Sequence, residues 1–153
     1  MVGIFACALK DGKAAPVAHA ALKRLEHIGY DSVGAATAHE NKLFIKKDCG
    51  RIDDVHARFN LDALPGNIAI SHMRWATHGA PSRENAHPHL DCSEQVAVVH
   101  NGIIENYSEL KRELENLGHT FKSKTDSEVI PHLIEENVKR GQPFLEATRE
   151  NIK

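Results

Sequence analysis

Apolar and polar residues fall in blocks along this chain, and turn residues mark the boundaries between blocks. Val2 to Leu9 is nearly all apolar, which predicts a strand buried on both faces. Asp11-Gly12 ends it as a turn. From Pro16 the apolar positions Val17, Ala21, Leu25 and Ile28 recur at helical spacing, and Gly29 is placed to close that helix as a left-handed cap. Val33 to Ala38 and Leu43 to Lys47 read as two strands joined at His39-Glu40-Asn41-Lys42. Residues 51–66 show no clear period and end in a Pro65-Gly66 turn. Asn67 to Met73 and Gln95 to His100 are the next apolar strand segments, separated by a loop rich in proline and histidine.

The remainder reads as helical. Leu110, Leu114 and Leu117 form an i, i+4, i+7 stripe, with Gly118 beyond its end. Thr125-Asp126-Ser127-Glu128 has the spacing of a capping box, and the helix behind it extends to about Lys139, with Gly141 as its stop. Pro131 removes one backbone donor inside that helix and predicts a bend. Pro143 opens a further helix toward Lys153. Strands flanked by helices in mixed order predict layered α/β or α+β architecture.

A length of 153 residues suits one domain with a single core. Hydrophobic content of 41% and charged content of 26% are those of a soluble globular protein. A formal net charge of -2 speaks against a nucleic-acid partner and against an anionic membrane. Cys7, Cys49 and Cys92 are odd in number and lack CxxC spacing, so they read as reduced thiols of a cytoplasmic protein. The first apolar run is too short to span a membrane and lacks the basic flank of a signal peptide.

Three segments have compositions that packing alone does not explain. In Ser71-His72-Met73-Arg74-Trp75-Ala76-Thr77-His78-Gly79 an apolar strand runs into a polar cluster. Strand ends are where a scaffold presents functional groups, and the planar fork of Arg74 matches a carboxylate. Thr77 and His78 can add donors to the same anion, although a surface arginine and a satisfied histidine account for the pattern too. In His100-Asn101-Gly102-Ile103-Ile104-Glu105-Asn106, the Asn101-Gly102 pair is either a simple turn or an oxyanion hole made of an amide and a backbone N–H. Asp126 and Glu128 complement a helix dipole, and a carboxylate held there can also receive an ammonium group.

Eleven histidines raise a metal-binding alternative. Its centre would be His87-Pro88-His89, with His72, His78 and His100 in nearby segments. No paired cysteines and no HExxH accompany it, so no metal site is expected. His19, His27, His39, His56, His119 and His132 read as ordinary surface or helix residues.

Taken together, the segments resemble the glutaminase domain of the glutamine–fructose-6-phosphate aminotransferase (glucosamine-6-phosphate synthase) family. The resemblance runs through Gly3-Ile4-Phe5, Leu25-Glu26, Gly29-Tyr30-Asp31-Ser32, the 72–79 segment, Asn85-Ala86-His87-Pro88-His89, residues 98–106 and Thr125-Asp126-Ser127-Glu128-Val129-Ile130. It implies an α+β fold of the N-terminal nucleophile (Ntn) hydrolase type, an αββα sandwich, here one partial domain over 1–153 that is incomplete at its C-terminus and lacks the sugar isomerase domains. It also implies that Arg74, with Thr77 and His78, holds the α-carboxylate of L-glutamine, and that Asp126 takes its α-ammonium. Asn101 and Gly102 would form the oxyanion hole, with Trp75 and His87 in the same pocket. Such an enzyme needs no metal and no organic cofactor for glutamine hydrolysis.

The family carries cysteine immediately before Gly-Ile, and Val2 stands there in this chain. It usually has arginine before Gly-Tyr-Asp-Ser, where this chain has Ile28. Losing the nucleophile of a concerted site costs on the order of 10⁶ in rate. Cys7, five residues along the first strand and roughly 17 Å away if extended, is no substitute. The chain is therefore expected not to hydrolyse glutamine. The alternative is a non-catalytic module that binds glutamine or glutamate, or regulates a partner. A half-covered sandwich also predicts association, with a complementing chain or as a homo-oligomer.

Overall fold

A computed structural model describes residues 3–75 and 80–150. The expectations for Val2, Thr77 and His78 fall outside the described residues, and so does the side chain of Ile28. Strands β1 (Gly3–Ala8), β2 (Ser32–His39), β3 (Lys42–Cys49) and β4 (Ile68–Arg74) form one antiparallel sheet in the order β1-β4-β2-β3. A short antiparallel pair, β5 (His89–Leu90) and β6 (Ala97–Val98), forms the second sheet.

Side-chain alternation sends successive residues of the first sheet to opposite layers. Val33 pairs with Met73, and both enter a buried cluster with Leu22 of helix α1 (Ala14–Leu25) and with Ile52 and Val55 of helix α2 (Ile52–Phe59). Each such side chain contributes roughly 1.5–3 kcal/mol by leaving water. One residue along, Gly34 pairs with His72 and both belong to the other face. That face receives the 84–101 segment, which Lys47 holds through its ammonium group at 2.6 Å from the Ala86 carbonyl and 2.8 Å from that of Pro88.

Helices α3 (Tyr107–Asn116), α4 (Val129–Lys139) and α5 (Phe144–Glu150) complete the outer layer. Ile134 of α4 and Ala147 of α5 are buried with Val96, against Val98 of β6. The order helix, sheet, sheet, helix is the αββα layering of the Ntn type, and the class is α+β. No described helix is long and apolar enough to cross a membrane.

Several local expectations change. β1 is an edge strand buried on one face: Phe5 and Cys7 pack toward α1, while Ile4 is 41% exposed. The first helix ends at Leu25 and tightens into a 3-10 turn, Glu26–Ile28, whose Glu26 carbonyl takes the Gly29 N–H. Gly29 is extended, with φ of −169°, and makes no left-handed cap. Residues 51–66 hold α2 and a 3-10 turn, Leu61–Ala63.

The strand expected over 95–100 shrinks to Ala97–Val98. The carboxylate of Asp91 takes the N–H groups of Gln95 and Val96 at 2.8 and 2.7 Å and draws the chain into a tight turn. Thr125 makes no capping hydrogen bond to the helix backbone. Glu128 instead reaches back to the N–H groups of Lys122 and Ser123, both at 2.7 Å. Pro131 is the third residue of α4, where its missing donor has no intrahelical acceptor to serve, so it calls for no bend. The β2–β3 hairpin stands as expected: Glu40 and Asn41 have φ of 49° and 58°, the conformation of a two-residue type I′ turn.

Candidate functional site

Arg74 is the last residue of β4, and its strand position places it on the same sheet face as His72. Both open into a cleft of about 260 Å³ whose opposite walls are residues 100–103 and 125–127. Arg74 is buried; burial weakens its hold on the proton, while the carboxylates of Asp31 and Asp126 strengthen it. Trp75 is half-exposed at the same cleft and meets the ring of Tyr30 edge-on, 5.7 Å between centroids. The Asp31 N–H donates to the Arg74 carbonyl at 3.1 Å and keeps the Tyr30-Asp31-Ser32 segment beside the strand end.

His72 decides how the Asn101 amide is turned. Its Nε2 lies 2.9 Å from Asn101 Oδ1 and 3.2 Å from the His100 carbonyl. A carbonyl only accepts, so Nε2 carries the hydrogen. With Oδ1 accepting from His72, the Nδ2 amino group of Asn101 is directed away from that ring. Burial, opposed by these two hydrogen bonds, pushes the His72 pKa down to about 4 and keeps the ring neutral.

Gly102 follows with φ of +156°, and a Cβ there would lie 2.8 Å from His100 Nε2. Asn101 has no positive φ, so the pair is not the type I′ hairpin turn that its sequence also allowed.

Asp126 pins the opposite wall. One carboxylate oxygen takes the Ile104 N–H at 2.8 Å and the other takes the Ser127 N–H at 2.9 Å. The Ser127 hydroxyl adds a longer bond at 3.4 Å, and with about four lone-pair sites on a carboxylate acceptor capacity remains beyond these three. Asp126 and Arg74 thus put opposite charges on one small cleft, next to Asn101 and Gly102.

His87 stacks on His72 with centroids 4.2 Å apart and planes at 16°. Its Nδ1 accepts the His100 N–H at 3.3 Å, and burial with the neighbouring imidazoles drives its pKa far below the usual range. His89 touches His87 edge-on and meets Thr125 Oγ1 through Nε2 at 2.9 Å; burial lowers its pKa to about 3. The His87-Pro88-His89 pair therefore faces amide and hydroxyl partners, and the cleft is backed by three neutral imidazoles. His119 and His132, read as ordinary surface or helix residues, are both buried, and His132 lies on α4.

Two residues important to this arrangement carry no motif. A Cβ on Gly34 would stand 1.9 Å from the His87 carbonyl oxygen, so only glycine lets the loop lie on the sheet. Lys47 is the other; burial lowers its pKa to about 8 against the pull of Glu128 and Glu84. A glycine inside an apolar strand is the signal that could have located the contact.

A family profile for the glutamine amidotransferase domain matches residues 72–149. The chain is 60% identical over 148 residues to the glutamine–fructose-6-phosphate aminotransferase of Methanothermobacter thermautotrophicus, covering 97% of this chain and 25% of that protein. It is 56% identical over 140 residues to the corresponding protein of Pyrococcus horikoshii, covering 92% and 23%. The chain thus spans about a quarter of the length of the curated relatives it matches. Among solved structures, it is similar to the glutamine phosphoribosylpyrophosphate amidotransferase of B. subtilis in complex with ADP and GMP. The TM-score is 0.79 at 30% identity, over 99% of this chain and 32% of that one. An allosteric regulatory enzyme of purine biosynthesis matches with a TM-score of 0.80 at 29% identity, with the same coverage.

Proposed function

The chain belongs to the glutamine amidotransferase domain family, and from that premise we propose that its cleft holds L-glutamine or L-glutamate without hydrolysing the amide. Arg74, with Thr77 and His78, takes the α-carboxylate, and Asp126 takes the α-ammonium. The Asn101 Nδ2 group and the Gly102 N–H face the side-chain carbonyl as an oxyanion hole, in a pocket shared with Trp75 and His87. The observation that carries this reading is the pairing of a buried guanidinium and a buried carboxylate on one cleft of amino-acid size.

In a competent enzyme of this kind a thiol attacks the glutamine amide, ammonia leaves, and water hydrolyses the thioester. The Val2 side chain carries no thiol or hydroxyl with which to begin, although β1 runs antiparallel to β4 with Gly3 opposite Met73, beside the Arg74 end. Within a full-length aminotransferase the released ammonia would serve glucosamine 6-phosphate synthesis. Val2 favours a second reading of the same cleft: a module that senses glutamine for a complementing chain or within a homo-oligomer.

Calorimetry with L-glutamine tests the binding claim. We expect saturable heat at millimolar ligand, abolished by Arg74→Ala, and no ammonia release. Absence of heat from the unaltered chain would overturn the binding role, and turnover by the purified chain would overturn the inactivity.

A further inference from the structure

Beyond the glutamine cleft, four potential ligand atoms converge on one point. Cys92 lies in the turn between β5 and β6, His119 follows α3, and His132 and Glu135 sit one turn apart on α4. Cys92 Sγ is 3.7 Å from His119 Nδ1 and 3.5 Å from His132 Nδ1. The two Nδ1 atoms are 3.2 Å apart, and Glu135 Oε2 lies 3.2 Å from the first and 3.7 Å from the second. Ligands at zinc distances of about 2.0–2.3 Å stand about 3.3–3.8 Å from one another at the corners of a tetrahedron. The five edges above come close to that spacing, and the sixth, Cys92 Sγ to Glu135 Oε2, is within 4.8 Å. We propose that Cys92, His119, His132 and Glu135 bind one Zn²⁺ ion.

The surroundings orient each ligand toward that point. His119 Nε2 donates to the Glu136 carboxylate at 3.2 Å, which leaves its Nδ1 bare. His132 Nε2 is buried without a hydrogen-bond partner among the described residues, and the Glu128 carboxylate stands behind it at 3.8 Å, while its Nδ1 faces the centre. Lys139 holds the other oxygen of Glu135 at 2.9 Å, and the Cys92 N–H supports Oε2 at 3.1 Å. The Thr120 N–H points at the sulfur from 3.3 Å. Partners of this kind behind metal-binding imidazoles and carboxylates fix tautomer and ring orientation.

Two imidazole nitrogens, a carboxylate oxygen and a sulfur thus face one another. A single proton can bridge only one pair of them, whereas a divalent cation satisfies all four. One thiolate and one carboxylate supply two negative charges, which balance Zn²⁺; the Cys92 proton passes to solvent on binding. The mixed sulfur, nitrogen and oxygen set disfavours Mg²⁺ and Ca²⁺, which take oxygen ligands. Four protein ligands close the shell, so the ion is structural. It clamps the β5–β6 turn and the loop after α3 onto α4, the helix that continues from the Asp126 wall of the cleft.

The test uses the whole chain, stripped with a chelator and reloaded. We expect about one zinc per chain by elemental analysis. Cobalt added to the stripped protein should give a thiolate charge-transfer band and visible bands of tetrahedral intensity, displaced by zinc. Cys92→Ser, at an exposed residue, should remove the charge-transfer band while circular dichroism stays unchanged. Zinc should also slow alkylation of the Cys92 thiol. No stoichiometric metal together with no cobalt band in the unaltered chain overturns the site. A charge-transfer band that persists in Cys92→Ser overturns the ligand set, and one equivalent of a different metal overturns the assignment to zinc.

Discussion

The cleft at the end of β4 and the cluster around Cys92 are both buried and rich in histidine, yet their imidazoles face different things. In the cleft, His72 donates to oxygen acceptors, His87 Nδ1 receives an amide N–H, and His89 meets a hydroxyl. Each ring has a partner of complementary polarity and stays neutral. Around Cys92, one outward nitrogen donates to the Glu136 carboxylate, the other stands 3.8 Å from Glu128, and the inward ones converge with sulfur and oxygen on a common centre. A histidine's role follows from what its two nitrogens face, and histidine-rich sequence cannot reveal that.

The largest effect that would separate the two regions is catalytic. Val2→Cys should raise glutamine hydrolysis by up to on the order of 10⁶-fold, read as ammonia release, while leaving zinc content unchanged. If the thiol yields nothing while glutamine still binds, the cleft is a binding module alone.

Acid should act through the neutral imidazoles. An unfolded histidine takes a proton near its ordinary value of 6.5, but folded His72 stays neutral to about 4. Between those values the unfolded chain binds the extra proton, so stability is lost as pH falls through that window and is retained above it. His72 alone accounts for roughly 3 kcal/mol. Denaturant titrations at several pH values between these limits measure it, and a flat profile would contradict the buried neutral ring.

Gly34→Ala should force the His87 backbone off the sheet. We expect a loss of about 2 kcal/mol in stability and roughly tenfold weaker glutamine binding, with cobalt spectra unaltered. Equal damage to both sites would show that they do not fold as separable regions.

An effect of similar size, confined to the other region, is expected from Glu136→Gln, which removes the carboxylate behind His119. Zinc affinity should fall by about 10–100-fold in a chelator competition, with no change in glutamine calorimetry. Unchanged zinc affinity would count against the orienting role of that carboxylate.

Much of this protein is legible from local pattern. The hairpin at Glu40-Asn41, the strand read as Asn67 to Met73 and found over Ile68–Arg74, and the helices closed by Gly118 and Gly141 all follow from periodicity and turn chemistry, which act over a few residues. The capping box failed because Glu128 found the N–H groups of Lys122 and Ser123, partners outside the helix it was expected to cap. The strand over 95–100 shortened because the Asp91 side chain competed for its backbone donors.

Family membership resides in contiguous motifs and was legible without the fold, and the same motifs supply Arg74, Trp75, His87, Asn101, Gly102 and Asp126, which line the cleft. Tertiary structure alone decided the use of Gly34 as a landing place for the loop and the meeting of Cys92, His119, His132 and Glu135. Those contacts join residues from separate elements, and only chain packing brings their atoms within bonding distance.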